Sequence, residues 1–367
     1  MWGNIAIAFI LAFVVTFVTT PYTMKIAKKI GAIDIPKDER RAHKRSIPKF
    51  GGPAVILGFL ASTIYLLIVM SIENSINLFG PQEYWKKLLG FLAGILIIAG
   101  FCVVDDTKTI KPITKLIGQT IGAIFVVMSG IRIEGITLPF LNFPEMHEIT
   151  SILITIAWII FVTNAINLID GLDGLSSGIA SIYFLTIGVI AMLLNNSNGL
   201  DIILTFIMLG STLGFLVHNF NPAKIFMGDS GSMFLGYIIA VIALLGFKNI
   251  TLTSFLVPML LLAIPIMDTL FAILRRLINH KPLGEPDKNH LHHQLLRLRL
   301  SQRKTVLIIY LVDILFAIAS ILYAVGNKML GTNKYGIIIY IILFVLTLLL
   351  VLKTNIIWNH DKKKEEK

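Results

Sequence analysis

The stretch SILITIAWIIFVTNAINLIDGLDG, residues 151–174, joins an apolar run to a row of polar side chains. Its first thirteen residues carry no charge and suit the hydrocarbon interior of a bilayer. The polar residues then follow at intervals of three, and such spacing places side chains on neighbouring positions of a helical face. They are Asn164, Asn167, Asp170 and Asp173. Turns between helices are also rich in Asn, Asp and Gly, so the row alone allows a binding site or a turn.

The whole chain has the composition of an integral membrane protein. Of its 367 residues, 56% are hydrophobic and 14% are charged, whereas about a quarter are charged in soluble domains. A spanning helix needs about 20 mostly apolar residues. We therefore predict an all-α polytopic membrane protein with about eleven transmembrane helices. The predicted spans are 4–20, 52–71, 87–104, 113–130, 149–168, 175–194, 201–218, 233–247, 253–274, 305–325 and 335–352.

The basic residues predict how these spans are oriented. With the N-terminus outside, 26 of the 32 Lys and Arg residues fall in cytoplasmic segments, as the positive-inside rule requires. The net charge of +11 therefore needs no nucleic-acid partner. We predict a retained first span, one membrane domain over residues 1–352, a basic cytoplasmic tail over 353–367, and a small outer β-hairpin within 130–143.

Two aspartates, Asp105 and Asp106, end the third predicted span. Adjacent carboxylates repel each other, and acids are unfavourable at the negative C-terminal end of a helix. A divalent cation would relieve that repulsion, which favours a metal site over a solvated helix end.

Two later clusters carry further polar groups. In FMGDSGS, Asp229 lies in a predicted glycine-rich turn, and Phe226 could stack on a flat base; the alternative is an ordinary turn. In NHLHHQLLRLRLSQR, His290, His292 and His293 have no nearby cysteine and lack the spacing of a helical zinc pair. This pattern favours histidines that donate hydrogen bonds to phosphate or that transfer protons. The alternative is an amphipathic helix on the membrane surface.

The basic loop PKDERRAHKRSIPKFGG, residues 36–52, ends at a span. The positive-inside rule explains part of its charge, but Lys44 is also a candidate for binding a substrate phosphate. Gly51 and Gly52 could let a phosphate approach the backbone. Carboxylates for Mg²⁺ and bases for phosphate together predict phosphoryl transfer from a cytosolic donor to an acceptor dissolved in the bilayer.

Four motifs in this order resemble a known family. GFCVVDDTKTIKP, NAINLIDGLDGLSSG, FMGDSGSMFLG and PDKNHLHHQLLRLRLSQRKTV are similar to the polyprenyl-phosphate N-acetylhexosamine-1-phosphate transferases of glycosyltransferase family 4. The resemblance implies that undecaprenyl phosphate attacks a UDP-N-acetylhexosamine, releases UMP and requires Mg²⁺ or Mn²⁺. It also implies a bacterial plasma-membrane enzyme with a cytoplasmic active site and a possible homodimer.

The resemblance also implies roles for individual residues. Asp229 matches the metal-ligand aspartate, Asp105 would activate the lipid phosphate, and Asp106 would support the metal or the pyrophosphate. The three histidines match a motif near the pyrophosphate and the sugar. Positions that match the uridine and diphosphate site are Asn167, Leu168, Asp170 and Phe226. Asn164 and Asp173 either join that site or only shape the turn.

The spacing His-Leu-His-His and the predicted eleven spans resemble the GlcNAc branch of the family. We therefore predict transfer of GlcNAc-1-phosphate from UDP-GlcNAc to undecaprenyl phosphate, the first membrane step of a teichoic-acid or O-antigen type polymer. One alternative is phospho-MurNAc-pentapeptide transfer. Another is an ion-coupled transporter, because membrane carboxylates also carry protons and ions. Transporter carboxylates tend to lie near the bilayer midplane, whereas the acidic clusters identified above fall at one predicted face.

Overall fold

The computed structural model describes residues 2–36, 46–72, 83–108, 110–138, 141–143, 146–194, 200–249, 256–282, 289–332 and 334–353. The helices are α1 (Trp2–Ile30), α2 (Gly52–Ile72), α3 (Glu83–Lys108), α4 (Pro112–Met128), α5 (Glu148–Ile169), α6 (Leu175–Leu193), α7 (Leu200–Asn219), α8 (Gly228–Asn249), α9 (Leu256–Leu261), α10 (Ala263–Ile278), α11 (Leu291–Arg297), α12 (Gln302–Leu330) and α13 (Lys334–Lys353). The strands are β1 (Ile33–Asp34), β2 (Ile47–Pro48), β3 (Ile136–Leu138) and β4 (Leu141–Phe143).

Each apolar segment predicted from the sequence is helical over most of its described residues. Within the described part of the chain, eight helices are long and apolar enough to cross a membrane, namely α1, α2, α3, α5, α6, α7, α8 and α12. Helices α4 and α13 present shorter apolar stretches. The chain is therefore a multi-pass membrane protein. The total of eleven spans and the outside position of the N-terminus stay predictions.

The ninth predicted span consists of two helices instead of one. Helix α9 ends at Leu261, and α10 begins at Ala263. Pro265 lies in the first turn of α10 and has no N–H to donate to the preceding turn. The long apolar run of the sequence did not reveal this break, because apolar residues continue on both sides of it.

Two short antiparallel sheets accompany the helices. Strands β3 and β4 pair with Ile136 opposite Phe143, which confirms a hairpin in the predicted segment. Strands β1 and β2 pair with Ile33 opposite Pro48 and close the basic loop at its base; the sequence analysis did not predict them. The candidate Lys44 and the tail beyond residue 353 lie outside the described residues.

Helix α8 forms the centre of the bundle. Of its apolar stretch, 89% is buried inside the protein, compared with 28% for α1. It packs against α2, α3 and α5, while α1 packs against α2 and α7. Helices α3 and α5 end where α4 and α8 begin, and we call this end of the bundle the site face. Polar groups at these four helix ends are thereby brought together.

Candidate active site

The carboxylate of Asp106 caps the N-terminus of α8. One oxygen accepts a hydrogen bond from the backbone N–H of Asp229 at 2.8 Å, and the other accepts from the N–H and the hydroxyl of Ser230 at 3.2 and 2.5 Å. Gly228 has φ +74°, and a Cβ there would lie 2.8 Å from both carboxylate oxygens. The predicted turn at GDSG is the first turn of α8. The first free amides of a helix need an acceptor, and Asp106 supplies it.

Lys115 forms ion pairs with the other two aspartates of the cluster, Asp105 and Asp229. Its ammonium lies 2.5 Å from an Asp105 carboxylate oxygen and also pairs with Asp229. The other oxygen of Asp105 accepts the N–H of Ile110 at 2.7 Å. Sequence reasoning missed Lys115, since it counted this residue only among the basic residues near a span. Its position one turn inside an apolar helix was the available signal, because charges there are expensive.

The row of polar residues in the opening stretch divides into two kinds of position. Asn167 donates to Asp229 at 3.3 Å and to the Ser232 hydroxyl at 2.8 Å. Asn164, one turn earlier, exchanges hydrogen bonds with Gln119 on α4, the shorter at 2.7 Å. Of these two helical positions, only Asn167 therefore reaches the acidic cluster. The substrate role predicted for Asn164 stays a prediction, but its observed partner is another helix.

The two aspartates of the row lie beyond the end of α5. Asp170 accepts a hydrogen bond from Ser176 at 2.5 Å, and burial raises the pKa of its carboxyl to about 8 against the opposing effect of that bond. The raised pKa favours the protonated form of this carboxyl, which can donate a hydrogen bond. Asp173 accepts from Asn221 at 2.8 Å and from the N–H of Ala223 at 3.0 Å. It holds two loops together at the site face.

The histidine motif reaches the same loop. A Cβ on Gly171 would lie 2.5 Å from Nε2 of His292, so this glycine lets the ring approach the backbone. The rings of His290 and His292 are parallel with centroids 5.8 Å apart, and His293 follows at 4.3 Å from His292. His290 and His292 are buried. The alternative of solvated histidines on a surface helix is therefore wrong for these two.

The segment around Phe226 is held by main-chain hydrogen bonds. Gly51 and Gly52 donate their N–H groups to the carbonyls of Phe226 and Met227 at 3.0 and 2.8 Å. A Cβ on Gly52 would lie 2.3 Å from the nitrogen of Gly231. The prediction that these glycines admit a phosphate is wrong, because their amides and their space are already occupied. Phe226 is only half-buried, as is Leu168, which follows Asn167.

Comparisons with known proteins identify the family of this chain. A model of the family described as "Glycosyl transferase family 4" matches residues 88–247. A Bacillus subtilis protein named "Probable undecaprenyl-phosphate N-acetylglucosaminyl 1-phosphate transferase" is 39% identical over 321 residues, which cover 87% of this chain and 84% of the relative. This chain belongs to glycosyl transferase family 4. The resemblance predicted from the four motifs is confirmed.

Two further relatives are less similar to this chain. A decaprenyl-phosphate N-acetylglucosaminephosphotransferase of Mycobacterium tuberculosis is 32% identical over 306 residues, covering 78% of this chain and 74% of the relative. A phospho-N-acetylmuramoyl-pentapeptide-transferase of Staphylococcus carnosus is 30% identical over 246 residues, covering 65% and 74%. The similarity is thus greater to the relatives whose names specify N-acetylglucosamine.

The acidic cluster of this family 4 chain offers carboxylate oxygens, the ligands that hard divalent cations prefer. Asp105 and Asp229 already converge on a cationic group, the ammonium of Lys115. No group of three or more His, Cys, Asp or Glu residues that could hold a metal occurs among the described residues. Mg²⁺ is often bound by one or two carboxylates together with substrate phosphates, and the Asp229 carboxylate could serve as one of them. Both oxygens of Asp106 serve α8, so its predicted role as a ligand stays a prediction.

Replacing His292 with Gln should lower UMP release or donor affinity by roughly 10²-fold, because the ring fills the space beside Gly171. Burial, assisted by the neighbouring His293, lowers the pKa of His292 to about 3. We therefore expect its ¹⁵N signals to be those of a neutral ring from pH 8 to pH 5. As the pH falls from about 6.5 toward 3, the His292 ring gains a proton in the unfolded chain but not in the folded protein. The free energy of unfolding should therefore decrease over that range.

The matched control for that variant is His147→Gln, since His147 is exposed at the other end of α5. It should leave both rate and affinity unchanged. A normal rate and normal donor affinity in His292→Gln would remove this histidine from the site.

Gly52→Ala should lower the free energy of unfolding by about 1–3 kcal/mol, because the new methyl group would overlap the backbone of Gly231 at the start of α8. The measurement is the thermal unfolding midpoint in detergent. The control is Gly100→Ala in α3, where nothing lies within 4 Å of the added Cβ and the midpoint should rise slightly. An unchanged midpoint in Gly52→Ala, with donor affinity alone reduced, would restore the phosphate-binding prediction.

Proposed function

We propose that this protein transfers GlcNAc-1-phosphate from UDP-GlcNAc to undecaprenyl phosphate and releases UMP. One observation carries the proposal: Asp105, Lys115, Asn167 and Asp229 meet where the ends of four apolar helices come together. A lipid phosphate anchored by its chain in the bilayer and a donor arriving from the aqueous side can meet only at such a boundary. The names of the similar N-acetylglucosamine transferases support the same substrates.

The reaction joins two phosphates, so the site must first overcome their mutual repulsion. Phosphoryl transfer depends on in-line positioning and charge neutralisation far more than on covalent help from the protein. In the proposed mechanism, a lipid phosphate oxygen attacks the sugar-bound phosphorus, and the bond to the UMP oxygen breaks. Lys115 would neutralise charge on the phosphates. Asp105, whose orientation is held by Lys115 and the N–H of Ile110, would accept hydrogen bonding or a proton from the attacking lipid phosphate.

Mg²⁺, or Mn²⁺ in its place, would be held by Asp229 and would supply further charge neutralisation on the pyrophosphate. Asn167 orients Asp229 through its side-chain amide. Asp106 orients it through the backbone, because it binds the N–H of the same residue. The acidic residue thus has two independent supports, which holds its carboxylate in place before the substrates bind.

The nucleotide would lie on the loop after α5. A protonated Asp170 can donate a hydrogen bond to a uracil carbonyl, and the half-buried Phe226 offers an aromatic face for stacking. The buried histidine row borders the same loop and would contact the pyrophosphate and sugar. The predicted topology assigns 26 basic residues to this side, and this distribution supports a cytoplasmic site in the bacterial plasma membrane. The homodimer stays a prediction.

The test is a panel of nucleotide sugars with the purified protein in detergent. UMP release should occur with UDP-GlcNAc, and only when undecaprenyl phosphate and Mg²⁺ are both present. The lipid product, identified by mass, distinguishes GlcNAc transfer from phospho-MurNAc-pentapeptide transfer, which is the alternative within the family. Absence of UMP with every nucleotide sugar would contradict the proposed function. Proton- or ion-driven uptake of a nucleotide sugar into vesicles that contain the reconstituted protein would support the transporter alternative instead.

A further inference from the structure

One buried carboxylate outside the acidic cluster contacts the histidine row. Asp268 lies in the middle of α10, and its Oδ2 is 2.9 Å from Nδ1 of His290. Its Oδ1 accepts the backbone N–H of Leu291 at 2.8 Å. Asp268 and His290 are each 5% exposed. A single side chain on α10 therefore holds both the first histidine ring and the first residue of α11.

We infer that Asp268 is a positioning residue that places the proton of His290 on Nδ1 and fixes the direction of its ring. A carboxylate only accepts hydrogen bonds, so the nitrogen facing it must carry the hydrogen. Nε2 of a neutral His290 is then an acceptor, and it becomes a second donor when the ring is charged. A histidine held by a carboxylate in this way is prepared for proton transfer or for binding an anion.

The contacts around His290 connect this pair to the site. Its ring lies parallel to that of His292, 5.8 Å between centroids. His292 in turn contacts the loop after α5 at Gly171. A change in the angle of the His290 ring would therefore alter the packing of His292 beside the residues proposed to hold the donor. This inference rests on the proposed function for its kinetic consequence, but not for the proton position.

A purely structural role for Asp268 would be to tie α11 to α10. Asp268→Asn separates the two roles, because it keeps the shape and one acceptor oxygen. The amide oxygen can still accept the N–H of Leu291, whereas the amide NH₂ must donate to Nδ1 of His290. The ring proton is then forced onto Nε2. The same isosteric exchange elsewhere shows that a wrong tautomer is costly even when the geometry is intact.

The experiment compares ¹⁵N histidine spectra and kinetics of the full-length protein in detergent. The signals of His290 are assigned by their loss in His290→Gln. Wild-type protein should show the hydrogen on Nδ1, and Asp268→Asn should show it on Nε2 with UMP release lowered about 10- to 100-fold at little change in donor affinity. The control is Asp313→Asn, a buried acid on α12 whose carboxyl oxygens have no hydrogen-bond partner among the described residues. It should change neither readout.

A wild-type spectrum with the hydrogen on Nε2 would overturn the inference, and it requires no variant to fold. A normal rate in Asp268→Asn with a shifted tautomer would overturn the kinetic part. Should Asp268→Asn fail to fold, Asp268→Glu retains the carboxylate and should keep the hydrogen on Nδ1; its loss there would also contradict the inference. Absence of turnover in wild-type protein would contradict the proposed function while leaving the tautomer result valid.

Discussion

Asp229→Asn is expected to lower UMP release by roughly 10³-fold while the protein still folds and inserts. The substitution removes the charge that would hold the divalent cation and that pairs with Lys115. It leaves the start of α8 intact, because the cap from Asp106 is made to the backbone N–H of residue 229 and not to its side chain. The measurements are UMP release at saturating donor and acceptor, and the thermal unfolding midpoint in detergent.

Asp106→Asn provides the contrasting result. An amide presents one acceptor oxygen, so its NH₂ would face one of the two N–H donors of α8. We expect both a lower unfolding midpoint and a lower rate, since the capping interaction of a charged acceptor at a helix N-terminus is lost.

Near-normal turnover in Asp229→Asn would remove that residue as the metal ligand. Loss of folding in that variant would show that its side chain is needed structurally.

Lys115→Met is expected to lower UMP release by roughly 10²-fold and to reduce the Mg²⁺ concentration needed for half-maximal rate. Two unit charges 4 Å apart interact by about 4 kcal/mol in a partly polar protein environment. Without the ammonium, Asp105 and Asp229 face each other without compensation, and a divalent cation is drawn in more strongly. The rate falls because the positive charge near the reacting phosphates is lost.

The control removes the same charge four residues earlier. Lys111 precedes α4, is exposed and makes no side-chain cap, so Lys111→Met should alter neither the rate nor the Mg²⁺ dependence. A lower rate with unchanged Mg²⁺ dependence in Lys115→Met would assign this lysine to substrate binding alone. An unchanged rate would exclude it from the mechanism.

The difference between Lys115 and Lys111 illustrates the limit of sequence reasoning for this site. Lys108, Lys111 and Lys115 follow the acidic pair within ten residues, and the positive-inside rule explains all three equally well. Only the packing of α4 against α3 and α5 brings one of them between two carboxylates. Asp268 was missed for a similar reason, since its partner His290 lies 22 residues away across a helix end.

Glycines show the same limit in another form. Gly51 and Gly52 correctly signalled a close approach, because a missing Cβ makes room for another group. The sequence suggested a phosphate, whereas the structure places Phe215 and the start of α8 in that space. A glycine specifies that something approaches, but the approaching group is set by the rest of the fold.

The sequence by itself determined the helical membrane architecture, the small hairpin of β3 and β4, and the family. These follow from apolar run length, charge distribution and local motifs, which are properties of neighbouring residues. Tertiary structure alone decided that Asp106 caps α8, that Asn167 and not Asn164 reaches Asp229, and that Lys115 joins the two acids. Such roles depend on directional contacts of 2–3 Å between helices far apart in the chain, and spacing along one helix does not specify which neighbour each side chain will meet.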